Sequence, residues 1–171
     1  MKPQVPIEVD DATGAWSVDG LPMILVPRHF FVNNHAAVEG ALGQERYAEL
    51  LFDAGHRSAY VWCEKEARTH GLQGVEVFHH YMKRLSQRGW GRFSVESVDA
   101  RRGTARVRVA HSVFVAERRT PGRKSCYMFR GWFPGALEFI AGGKLKLRCE
   151  EVQCAAEGHQ DCVFETSERK P

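Results

Sequence analysis

The chain's 171 residues suit one core better than two, and its 43% apolar and 26% charged shares describe an ordinary folded chain and not a disordered one. A formal charge of +3, with Lys and Arg interleaved among acids outside residues 101–124, argues against a dedicated nucleic-acid binder. No apolar run reaches the roughly 18 residues of a membrane span, and residues 1–6 lack a signal-peptide pattern, so the expected address is cytoplasmic with no membrane partner.

In chain order, Gly14 and the Asp19-Gly20 pair break the opening segment into two short strands, and residues 22–26 extend beyond them. Residues 1–28 therefore read as an N-terminal hairpin or arm, and residues 29–171 as the main domain. A helix is expected over 29–42, closed by Gly43, and a longer one over 44–70. In the longer helix Tyr47, Leu50, Leu51, Ala54, Ser58, Val61 and Trp62 recur every three or four residues, which predicts an apolar stripe. Gly55 interrupts that helix, a reason to expect another backbone close by. A third helix, over 74–87, centres on Phe78, Tyr81, Met82 and Leu85.

Residues 91–98 and 104–113 alternate as strands around a hairpin turn at 99–103. The period of two puts Val107, Val109, His111 and Val113 on one face, so His111 is expected to point inward. A polar loop over 117–124 leads to a helix over 125–141, with Pro134 expected to kink or restart it. Its arginines and lysines (Arg118, Arg119, Arg123, Lys124), with Arg130 beyond, read as a solvated loop or as an anion-binding group. Residues 144–153 and 162–166 are the last strands. The order implies an α+β fold: an antiparallel sheet of about four to five strands against three to four helices.

Five cysteines in a reducing compartment point to metal ligation more readily than to disulfides. Glu151-x-x-Cys154, seven residues and then Cys162 place three donors on one hairpin, folded back by the turn around Gly158. Cys126, at the start of the preceding helix, supplies a fourth for a tetrahedral zinc site. Spacing alone leaves open zinc, reduced buried thiols or a disulfide, and His159 and Glu157 could substitute as ligands. Cys63 and Cys149 read as core residues.

The run Cys126-Tyr-Met-Phe-Arg-Gly131-Trp-Phe-Pro-Gly135, followed by Glu151-x-x-Cys154-x7-Cys162-x-Phe164, resembles the C-terminal signature of the 4-vinyl-reductase domain family. Upstream, residues 51–59 are similar to that family's glycine-containing long helix. The family includes sensor domains of phenol- and toluene-responsive bacterial regulators and is distantly similar to Bet3-type trafficking subunits. The resemblance implies three cysteines and one glutamate as structural zinc ligands, mapping onto Cys126, Glu151, Cys154 and Cys162, a zinc-clasped C-terminal hairpin, and no open position for catalysis. It also implies a pocket for a small aromatic molecule between sheet and helices, anchored by a histidine and a tryptophan.

The histidine candidates are His79, at the edge of its helix's apolar stripe, its neighbour His80, and His111. No tryptophan occurs in the strand over 106–111, a departure from the sensors' pattern, and Tyr127, Phe129 and Trp132 are expected to line the cavity instead. The expected function is a homodimeric sensor or carrier for an apolar or aromatic ligand. Because the chain ends soon after the last cysteine, output is expected through a partner protein. A role in reducing a vinyl group in tetrapyrrole metabolism is the alternative the resemblance implies, without a dinucleotide fingerprint in this chain. A third is an interaction subunit like the trafficking proteins.

Overall fold

In the computed structural model, residues 5–118 and 122–169 are described. Strands β1 (Glu8–Asp10), β2 (Ala15–Val18) and β3 (Leu21–Met23) make a small antiparallel sheet in chain order. Asp19 and Gly20, both at positive φ, form the tight turn between β2 and β3. The start of the expected extended piece is thus a third strand, with Trp16 opposite Met23 and Val18 opposite Leu21.

Helix α1 (Arg28–Leu42) ends at Gly43, whose φ of 78° swings the chain directly into α2 (Gln44–His70). The buried line of α2 is Gly55, Ala59, Trp62, Cys63 and Glu66, so the expected stripe is rotated. Leu50 and Val61 are exposed, and Ala54 and Ser58 are not in the core. The physical reason is a cavity, described below, against which Leu51, Ala54 and Ser58 stand. Helix α3 (Val75–Gln87) buries Phe78, Tyr81, Met82 and Leu85 as the spacing predicts, and Val77 and Arg84 with them.

The main sheet runs in the order β4 (Arg92–Asp99), β5 (Thr104–Ala110), β7 (Cys162–Glu168), β6 (Leu147–Gln153), all antiparallel. Asp99 Oδ1 accepts hydrogen bonds from the Arg101 and Arg102 amides and so shapes the β4–β5 turn. Val107 and Val109 face the core, whereas Arg106 and Arg108 reach outward to Glu96, Glu165 and Asp161. Strand β5 stops at Ala110, short of the expected Val113. His111 stands beyond it at φ +55° and is exposed, because alternation directs a side chain only while the ladder lasts. The chain then forms α4 (Val113–Arg118), where the sequence reading expects the end of a strand and a loop.

The expected helix over 125–141 divides into a 3₁₀ turn (Tyr127–Gly131) and α5 (Trp132–Ile140). Pro134 sits in the first turn of α5, where an amide has no helical acceptor, so it starts the helix without kinking it. Gly131 and Gly135 lie directly on α2. A Cβ at Gly131 would stand 2.2 Å from the Phe52 carbonyl oxygen, and one at Gly135 2.3 Å from that of His56. Only glycine permits that approach.

Helix α3, the 3₁₀ turn and α5 lie against the main sheet. Between these layers Phe78, Phe114, Phe129, Phe133 and Phe164 are fully buried. Phe129 is the hub, its ring centroid 5.0 to 6.0 Å from those of Trp132, Phe93, Phe114 and Phe164. The fold is α+β with antiparallel sheets of three and four strands and, among the described residues, five α-helices. None of those helices is long and apolar enough to cross a membrane.

Candidate functional site

The four residues of the expected clasp converge. Cys126 opens the 3₁₀ turn, Glu151 lies near the end of β6, Cys154 follows that strand, and Cys162 begins β7. A register shift between Glu151 and Gln153 breaks the β6–β7 ladder beside the cluster. Gly158, at φ +95°, then returns the chain toward Cys162.

All four side chains are buried, and one donor atom from each lies within 4.8 Å of the others. The Cys126 and Cys162 sulfurs are 3.5 Å apart, and those of Cys162 and Cys154 3.8 Å. Metal–sulfur bonds of about 2.3 Å in a tetrahedron place sulfurs about 3.8 Å apart, so the spacing suits a shared cation. It does not suit a disulfide, and all five cysteines are free.

The electrostatics agree. Hydrogen bonds from Cys126 and Cys162 hold the Cys154 thiol far below its usual range, as a thiolate. Its hydrogen bonds to Cys154 and Cys162, then burial, push Cys126 well up. Burial and the Cys154 sulfur raise the Glu151 carboxyl to about 9. With no cation the cluster carries one negative charge where four acids meet; a divalent ion is what would let the others ionise.

Glu151 Oε2 accepts from the Cys126 amide at 3.2 Å, while Oε1 is buried without a hydrogen-bond partner, a free donor atom facing the sulfurs' neighbourhood. Ser112 Oγ is 3.0 Å from the Cys126 sulfur, and the Ala155 amide donates to the Cys162 sulfur at 3.4 Å, contacts that orient ligands. The residues present fit a metal ion. Cys63 and Cys149 are separate core thiols, pushed well up by burial.

A second feature lies beyond the 3₁₀ turn. Phe31, Leu51, Gly55, Trp62, Tyr81, Leu85, Trp90, Met128 and Trp132 surround a cavity of about 390 Å³, with Met23 at its rim. Its rings meet edge to face, Phe31 on Trp90 at 5.2 Å and Trp90 on Trp132 at 5.1 Å. Gly55 makes room for the Trp132 indole, whose Cδ1 would be 2.7 Å from an added Cβ.

Of the residues expected to line a pocket, the structure brings Trp132 to this cavity. Tyr127 is buried beside it in sequence but gives its hydroxyl hydrogen to Glu39, and Phe129 is in the aromatic core. His79 is exposed, over a shallower groove with Met82, Ser86 and Phe93. His80 turns the other way, its Nε2 2.7 Å from Glu66 Oε2, and its ring stacks on Trp62 at 5.8 Å. Of the polar loop, Arg123 pairs with Glu39 and Arg130 donates to the Cys149 carbonyl; the Arg118 side chain and Arg119 lie outside the described residues.

The sequence reading misses a polar network behind the cavity. Glu66 on α2, fully buried, meets His80 and His70, and Arg84 pairs with Asp19 at 2.7 Å and approaches Glu66 at 3.7 Å. Glu66, His70 and His80 are close enough to hold a cation. Arg84 already supplies positive charge to both carboxylates, so an ion-pair network is the better description. Its signal in sequence is the four-residue spacing of Glu66 and His70 on one helix face.

The cysteine-bearing hairpin and the helix-covered antiparallel sheet define a 4-vinyl-reductase domain, and residues 105–168 match the model of that domain. The chain belongs to the family described as Domain of unknown function (DUF5943), whose model matches residues 1–96, more than half of its length. No curated protein matches the chain.

Among solved structures, the phenol-responsive sensory domain of the transcription activator PoxR, with phenol, aligns with a TM-score of 0.81 over 95% of this chain and 84% of its own, at 17% identity. A vinyl-4-reductase family protein from Methanocaldococcus jannaschii aligns at 0.55 and 13% identity, covering 86% and 85%. A trafficking protein particle complex subunit 3 from Naegleria fowleri, covalently bound to palmitic acid, aligns at 0.57 and 9% identity, covering 84% and 95%. These likenesses establish a shared fold.

Proposed function

We propose that this chain is a cytoplasmic sensor or carrier domain that encloses an apolar or aromatic small molecule, holds one structural zinc ion, and acts through a partner protein, as a homodimer. The observation that carries the reading is the aromatic-walled cavity between α2, α3 and the start of α5. A volume of this size accommodates a one-ring molecule, and edge-to-face walls favour a ring inside. The fold shared with a phenol-bound sensory domain and a palmitate-bound trafficking subunit supports a ligand in this architecture.

Zinc would be held by Cys126, Glu151, Cys154 and Cys162, with every position filled by protein, and would fasten the β6–β7 hairpin to the 3₁₀ turn. That turn carries Met128, and α5 carries Trp132, so the clasp would set two cavity walls. Residues 1–28 form an arm in this reading, with Met23 at the cavity's rim, and residues 29–171 the ligand-binding domain. A bound molecule would change the partner's state only by binding one conformation more tightly than another.

Native mass spectrometry of protein from its own source, with elemental analysis of the same sample, tests both parts. The expected result is one zinc per chain and an adduct of small organic mass lost on activation. A chain without adduct that also fails to bind toluene in titration would defeat the ligand reading. Metal content well below one equivalent would defeat the zinc reading.

A further inference from the structure

Arg88 is the cationic side chain on the cavity wall, and it is set there in an unusual manner. Its guanidinium lies over the Trp62 ring, with Cζ 5.0 Å from the centroid. Stacking uses the face of the guanidinium and leaves its in-plane N–H groups available. Its Nε and Nη2 are buried and lack hydrogen-bond partners, as does Nε1 of Trp62, a residue only 8% exposed.

Among the described residues no carboxylate lies within ion-pair distance of Arg88. Glu66 Oε2 is engaged by His80, and Asp19 by Arg84. Arg88 stands where the main cavity meets a groove beneath residues 23–26 and another beside Val61. One wall therefore presents unused N–H donors from two side chains, and the others are apolar and mostly aromatic. A hydrocarbon would leave those donors unsatisfied, and a group made only of acceptors would complement them.

We infer that the cavity binds a monocyclic aromatic carboxylate, its ring against the Trp90 and Trp132 walls and its carboxylate on the N–H groups of Arg88 and Trp62. This rests on the ligand-binding reading above and specifies the ligand's class. Burial works against the Arg88 charge, pulling its pKa below the usual guanidinium value, and an anion would offset that. Asp19, Glu66, His70, His80, Arg84 and Tyr81 are the other titratable groups around Arg88; the two acids are offset by Arg84 and the histidines.

The test is titration of the full chain with phenylacetate, phenylacetamide, toluene and octanoate, followed by calorimetry and by the fluorescence of the cavity tryptophans. Phenylacetate should bind at least about tenfold more tightly than its uncharged amide and than octanoate. Arg88→Met should remove that preference while leaving toluene affinity unchanged, and Arg88→Lys should retain part of it. Equal affinity for acid and amide, or phenylacetate binding indifferent to Arg88→Met, overturns the inference. Tighter binding of octanoate overturns its aromatic part. Toluene binding without phenylacetate binding overturns it too but leaves the ligand-binding function standing, whereas failure of all four probes overturns both. Should Arg88→Met not fold, the acid-to-amide ratio of the unmodified chain decides alone.

Discussion

The clasp and the cavity flank the same 3₁₀ turn, yet they are assembled in opposite ways. Three of the clasp's four residues come from one hairpin, and all four point inward to a shared, buried centre. The cavity draws single residues from β3, α1, α2, α3, the Trp90 loop and α5, and it is lined by rings and donors that satisfy nothing else in the chain. One site is closed on itself; the other is left open for a visitor. The clasp should therefore govern stability and the cavity should govern affinity, with little exchange between them except through the turn they share.

Cys154→Ser should have the largest effect, because it removes a donor whose charge organises the cluster. The variant should lose its metal and melt more than about 10 °C lower, as metal binding at such sites is folding free energy. Elemental analysis and a thermal scan check it, and retention of full metal content would break the contrast.

Next, Phe129→Ala empties the hub between sheet and turn and should cost about 3–5 kcal/mol by denaturant unfolding. Because that ring also supports Trp132, aromatic binding should weaken as well. Gly131→Ala drives a methyl group toward the Phe52 carbonyl and should cost about 1–3 kcal/mol.

Gly55→Ala sharpens the comparison. Its methyl group displaces Trp132, and better helix propensity offsets part of the strain, so stability should change by about 1 kcal/mol or less. Toluene affinity should nevertheless fall while zinc content stays the same. Smallest of all, Leu25→Ser, at a side chain 76% exposed, should shift stability by no more than about 0.5 kcal/mol.

The clasp is legible in the sequence because its spacing is short-range: Glu151, Cys154 and Cys162 must meet once their hairpin closes, whatever surrounds them. Helix α3 is legible because its stripe faces a core on one side only. The stripe of α2 is misplaced since hydrophobic periodicity cannot tell a wall that touches protein from a wall that touches a cavity. His111 is misread for a different reason, the end of a strand being set by hydrogen bonds to a neighbour and not by its own residues. Arg88 and Glu66 draw no notice, because charged side chains on helical segments read as solvated until a tertiary neighbour covers them.

Gly131 and Gly135 set main chain against main chain, so the junction of α2 and α5 has no cushion of side chains able to change rotamer. Helix pairs separated by leucines can slip and repack; this one can only translate as a unit. A guest molecule that nudges α2 must carry the first turn of α5 with it, and the sulfur of Cys126, just upstream, is the nearest fixed anchorage. Stiffness at two glycines thus makes the domain a gauge in which a small filling volume is read out as displacement elsewhere, with no loop required to move.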